Sequence, residues 1–333
     1  MRNLAIALVM FVLLISVPAN AADAPAAPAP KFQNDFFGDM ARAFGCVVST
    51  DVKAQTMTVK LDREDKIVTV PIRFDTELHF RDSWGELSDF YEGLHVMLFM
   101  YVDDEKKWTY PRAVQDEIHV SANHGWYAAV TAIDKESKTY TTHREEKDKQ
   151  GVVTKKVDAT VPFDPAVKVW KGETAGGIET LQIGDEVIPQ LVLKDGKRVA
   201  MEIVDRKGNA ALKIVQDAKH KKDEETLGLP SYVTDFETLS GALSVTVAWS
   251  SAGRARQLKA GDEIVIQPVD GTKTFAALVC SKKDVDSRCR LELAVRSHVV
   301  GRLAYGQLLR VFMPGSGPAL PTGKLGIPDL TKK

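Results

Sequence analysis

Two stretches of this chain carry the same landmarks in the same order. Asp51-Val-Lys-Ala-Gln-Thr-Met-Thr58 returns as Asp134-Lys-Glu-Ser-Lys-Thr-Tyr-Thr141, Val70-Pro-Ile72 as Val161-Pro-Phe163, and Gly93-Leu-His-Val96 as Gly184-Asp-Glu-Val187. Pro71 to Gly93 and Pro162 to Gly184 are each 22 positions apart. Self-similarity of this kind means that one small unit is used twice. Its shared Asp, Thr, Val-Pro and Gly positions therefore report turns and strand register before they report chemistry.

The unit reads as β structure. Met57–Leu61 and Ile67–Ile72 flank the polar run Asp62–Lys66 as strand, turn, strand, and Val96–Val102 gives another strand. Ser83–Tyr91 places Trp84, Leu87, Phe90 and Tyr91 on one side of a short helix before Gly93. The second copy follows the same order from Trp126 to Val204, with a charged insertion, Arg144–Gly151, read as an enlarged turn. About five short strands with a small helix before the fourth predict a mainly β protein of tandem small OB-like barrels, with short helices and a helical linker. The expected division is 1–21 signal peptide, 22–31 Pro/Ala spacer, 32–118 first barrel with an N-terminal helix over Lys31–Phe44, 119–211 second barrel, 212–238 charged helical linker, 239–313 third barrel and 314–333 flexible tail.

Arg2, the apolar stretch Leu4–Val17 and Ala19-Asn-Ala21 form a signal-peptide pattern with cleavage after Ala21, so the expected location is periplasmic or secreted, with no integral membrane segment after cleavage. The mature chain then carries 43 basic against 45 acidic side chains, which gives no net field for nucleic acid. Cys280 and Cys289 flank a polar hairpin connection and are a disulfide candidate in an oxidising compartment; Cys46 reads as a buried small apolar residue.

Leu87–Gly93 and Thr180–Asp185, each running into a strand, resemble the endings of small β-barrel repeats in uncharacterised secreted bacterial envelope proteins. Leu258-Lys-Ala-Gly-Asp-Glu-Ile264, Asp286-Ser-Arg288 and Leu303–Arg310 resemble the β-barrel domain of periplasmic membrane-fusion (efflux adaptor) proteins. That second resemblance covers about Arg254–Met313 and implies a barrel used for docking. Lipoyl halves and paired long coiled-coil helices, which a complete adaptor has, are absent from the sequence.

No nucleophile elbow, zinc helix, Cys-x-x-Cys pair, phosphate loop or dinucleotide fingerprint occurs, and no cofactor or catalytic residue is assigned. Glu117, His119 and His124 are the candidate metal ligands, with a strand placing Glu117 and His119 on one face. Trp84, Trp108, Tyr110, Trp126 and Tyr127 are the candidate binding residues, able to stack on a sugar. The expected function is a non-enzymatic binding or docking protein of the cell envelope, with an envelope protein or polysaccharide as partner. The alternatives are a polysaccharide hydrolase using Glu117 or Asp116 as acid, and a metal-handling periplasmic protein.

Overall fold

In a computed structural model of the chain, the described residues are 40–319 apart from 65, 74, 104–106, 148, 149, 151 and 272. They lie in one compact unit, Gln33–Lys333. The expected signal peptide, the spacer, most of the helix over 31–44 and residues 320–333 of the tail fall outside the described residues.

The first sheet is built from β1 (Ala41–Asp51), β2 (Thr56–Leu61), β3 (Ile67–Pro71), β4 (Glu77–Phe80), β5 (Ser83–Trp84), β6 (His95–Val102) and β7 (Trp108–Asp116). Their order is β3-β2-β1-β6-β7-β4-β5, and β4 runs parallel to β7. Met57, Val59 and Leu61 alternate inward along β2 onto a core that includes Phe90, Leu94, Leu98 and Met100. Burying side chains of this size stabilises by about 1.5–3 kcal/mol each.

Two expectations fail here. Ala41–Phe44 is strand, because Ala41 and Ala43 alternate inward onto the core while Arg42 and Phe44 face out. Ser83–Tyr91 is β5 followed by a single 3-10 turn at Leu87–Asp89, because Ser83 and Trp84 are captured by pairing with β4.

The second sheet contains β8 (Ala128–Asp134), β9 (Thr139–Lys147), β10 (Val153–Lys171), β11 (Thr174–Gly176), β12 (Glu186–Lys194) and β13 (Lys197–Asp205). The pairings β8–β9, β9–β10, β10–β13, β13–β12 and β12–β8 close a five-stranded circuit, with β10 parallel to β13. Residues 144–147 of the expected enlarged turn extend β9 and pair with β10. Val157 pairs with Arg144 and Lys156 with Glu145, and opposite charges meet across the ladder, as at Lys156–Glu145, 3.6 Å.

Helix α1 (Glu117–Asn123) joins the two barrels, capped by Asp116, whose side chain accepts from His119 N. Glu117 and His119 therefore lie on a helix, where a strand was expected. Helix α2 (Arg206–Thr226) does more than link. Ser83 donates to Asp217, Lys213 to the Asp82 carbonyl and Gln216 to the Trp84 carbonyl at 3.0 Å, so the helix is fastened to the first barrel. No described helix is long and apolar enough to cross a membrane.

The third barrel is closed and antiparallel: β14 (Leu229–Glu237), β15 (Ala242–Val247), β16 (Glu263–Pro268), β17 (Phe275–Val285), β18 (Arg288–Ala294) and β19 (Leu308–Phe312), in the order β14-β15-β18-β17-β16-β19. It begins at Leu229, ten residues before the expected boundary at 239, because β14 pairs with both β15 and β19. Short helices α3 (Ala252–Ala255) and α4 (Ser297–Val300) lie between its strands.

The Gly landmarks have a shared geometric meaning. Gly93, Gly184, Gly261 and Gly306 all have positive φ, +84°, +93°, +92° and +74°. Each donates its N–H to the carbonyl of a valine, Val47, Val130, Val279 and Val233 respectively. In each case the residue after the glycine accepts from the same valine's N–H, and that valine stands at a β-bulge. This is the corner at which a strand bends to pair on both sides; in the second and third sheets the pairing closes into a barrel, whereas, among the described residues, the end strands β3 and β5 of the first are not paired to each other. Outside the first two barrels it occurs twice more, so it is a device of strand bending in general.

Candidate functional site

The landmark aspartates are turn residues. Asp51 Oδ1 accepts from Lys53 and Ala54 N, and Asp134 Oδ1 accepts from Glu136 and Ser137 N, all within 2.8–3.0 Å.

The five candidate aromatics go to three places. Trp84 stacks on His79 (4.4 Å between centroids) and approaches Trp249 of the third barrel (6.1 Å). Trp108 packs on the first core, and Tyr110 donates to Asp75 Oδ2 at 3.0 Å beneath the Arg73 guanidinium. Trp126 and Tyr127 alone come together, in an open groove of about 710 Å³ on the second barrel that His124, His143, Arg144, Glu145, Glu146, Glu186 and Arg206 also line. The indole of Trp126 is 40% exposed, with the His124 ring at 4.5 Å and the Arg144 guanidinium 5.0 Å from its centroid. Arg206 covers Tyr127 at 4.0 Å. The groove thus unites the aromatic junction with the charged hairpin extension, segments that the sequence separates by some twenty positions.

Glu117, His119 and His124 diverge. Glu117 Oε1 lies 2.8 Å from His95 Nδ1, while its Oε2 accepts from Leu191 N at 2.9 Å. His119 stacks on His79 at 4.3 Å, and burial holds its imidazole down to about 3, so it is neutral. His124 Nδ1 lies 2.7 Å from the Val120 carbonyl. The two carboxylates considered as acids are committed elsewhere. Glu117 holds His95. Asp116 is wholly buried as the α1 cap, and burial pushes its carboxyl up to about 7 against the Arg81 and His119 amides that pull it down.

Cys280 and Cys289 do not face each other. Cys289 pairs with Asp284, and Cys280 lies four residues further along β17 at a bulge. At about 3.3 Å per residue this exceeds the reach of a disulfide. All three cysteines are free. The connection expected over Lys282–Ser287 is a tight turn at Asp286 and Ser287, with φ of +48° and +63°, and the strands run up to it.

A second cluster lies between the first two barrels, made of residues that no sequence motif joins. Cys46 of β1 pairs with His95 of β6, and Asp62 is fastened alongside by its N–H to the Phe44 carbonyl at 3.0 Å. His95 Nε2 lies 2.9 Å from Asp62 Oδ2, and Arg198 of β13 donates to that same oxygen at 2.8 Å. Flanked by two carboxylates, the His95 imidazolium is held up at about 9 despite the opposing effect of burial. Burial pushes the Cys46 thiol up to about 11, which leaves it protonated and a poor nucleophile at neutral pH.

The two places occupy matching positions in their barrels. Cys46 pairs with His95 as Ala129 pairs with Glu186, and Cys46 pairs with Lys60 as Ala129 pairs with His143. In the first barrel the surface is covered by Glu117 and Arg198; in the second it opens into the Trp126 groove. A usable signal was therefore present in the repeat itself, where His95 stands against Glu186. No protein-family model matches the chain, and no curated protein matches it in sequence.

Proposed function

We propose that this chain is an exported, non-enzymatic binding protein of the cell envelope, built on a duplicated pair of OB-like barrels, and that the second barrel holds an envelope polysaccharide in the Trp126 groove. The observation that carries this reading is the half-exposed indole of Trp126 beside Arg144, Glu145, Glu146 and Glu186. An aromatic face stacks on the apolar face of a sugar ring, while guanidinium and carboxylate groups bond its hydroxyls. The recurrence of the Asp turn and the Gly corner at matching positions supports duplication. The signal-peptide pattern supports export. The third barrel, clamped to the first by paired bonds from Arg310 to Glu86 at 2.6 and 3.0 Å, serves as the docking face that the adaptor resemblance implies.

Co-sedimentation of the chain lacking residues 1–21 with purified cell-wall glycan, and binding to a soluble neutral glucan, test the proposal. Trp126→Ala is expected to weaken binding roughly tenfold, as the loss of about 1.4 kcal/mol would. Trp84→Ala should leave it unchanged. Absence of binding to both polymers, or equal binding by Trp126→Ala, refutes the polysaccharide assignment.

A further inference from the structure

We propose that Cys46, Asp62 and His95 form a binding site for one zinc-class divalent metal ion, with Glu117 orienting His95 and Arg198 acting as an exchangeable cover. One donor atom from each of the three residues lies within 4.8 Å of the other two, and among the described residues this is the one such group. A thiolate, an imidazole and a carboxylate together form a donor set suited to zinc.

The donors are held in place before any ion arrives. Cys46 and His95 are cross-strand partners, and the Asp62 N–H is bonded to β1. Glu117 reaches Nδ1 of His95, which leaves Nε2 directed at Asp62; a carboxylate behind an imidazole is the arrangement that fixes a metal-binding histidine. Arg198 Nη1 lies 2.8 Å from Asp62 Oδ2 and 3.2 Å from His95 Nε2, so a positive charge already stands over the donors. Its side chain is 45% exposed against 4% for His95, so it can swing aside while the ligands stay fixed. On binding, the thiol gives up its proton and the imidazolium its Nε2 proton, both to the buffer, as the sulfur and nitrogen bonds to the metal form. The matching positions in the second barrel are Ala129 and Glu186, which offer neither sulfur nor imidazole. One ion per chain follows.

The test is titration of the metal-stripped chain, residues 22–333, with Co²⁺ and then Zn²⁺. One equivalent of Co²⁺ is expected, with a thiolate-to-cobalt charge-transfer band that Zn²⁺ abolishes. Cys46→Ser should remove the band. Asp62→Asn, which keeps the side chain's shape and is checked for folding by circular dichroism, should weaken binding at least about tenfold. Arg198→Ala should strengthen it, and His119→Gln with His124→Gln should leave the stoichiometry unchanged. No Co²⁺ binding, binding without the band, or wild-type affinity in Asp62→Asn overturns the proposal. Because none of these readouts involves glycan, the result is independent of the Trp126 groove.

Discussion

Replacing His95 with Gln isolates what the charged seam between the first two barrels contributes. The imidazolium lies between Asp62 and Glu117 with its side chain only 4% exposed, and its pKa is raised from 6.5 to about 9. That difference corresponds to about 3 kcal/mol of stability, an upper figure because the carboxylates also respond. A group whose folded pKa is raised contributes fully below its unfolded value and loses that contribution as pH climbs through the folded one. The stability gap between wild type and His95→Gln should therefore be largest below pH 6.5, shrink between 6.5 and 9, and level off above 9 at whatever uncharged packing remains. Asp116, pushed up to about 7, also loses stability as pH rises through that value, but it is present in both proteins and cancels in the difference. Urea unfolding of both proteins at pH 6 and pH 9.5, with EDTA present, reads the gap. A gap that stays constant across this interval would falsify the account of His95 as a charged bridge.

Arg310→Met should cost about 3 kcal/mol, because it leaves the poorly exposed Glu86 carboxylate without its partner; a Glu86→Gln, Arg310→Met double variant should recover part of this. An unchanged Tm in the single variant would remove the clamp between the first and third barrels. Gly208→Ala should cost about 3 kcal/mol, since a Cβ there meets the Trp170 carbonyl; a circular-dichroism melt matching wild type would show that the start of α2 is not packed as described. Thiol counting on denatured, unreduced protein should give three free thiols, and in the native state only Cys280 should react readily. Two thiols fewer in the denatured count would restore the Cys280–Cys289 disulfide.

The linker shows why polarity alone misleads. Leu212, Gln216, His220 and Glu224 fall at spacings of four and are the buried face of α2, whereas Ile214 and Val215 are 69% and 53% exposed. A polar stripe met by Ser83, Asp82 and Asp89 of the first barrel has the same composition as a solvated one. Only the partners distinguish the two. The same holds for Glu117 and His119, which alternation places on a strand and the Asp116 cap places on a helix.

By itself the sequence determined the mainly β class, the strands β2, β3 and β6, the turn role of Asp51 and Asp134, and the turns at Gly93 and Gly184. Those are local matters: alternation selects a strand, and a turn needs Asp or a positive-φ glycine whatever lies beyond it. Tertiary structure alone decided that Trp126 shares a groove with Arg144, that Cys280 misses Cys289, and that Cys46, Asp62 and His95 converge beneath Arg198. Such groupings depend on cross-strand register and on which barrel covers which, and a one-residue slip in register would turn every side chain to the opposite face. No single segment contains that information, because it arises only when strands distant in sequence pair.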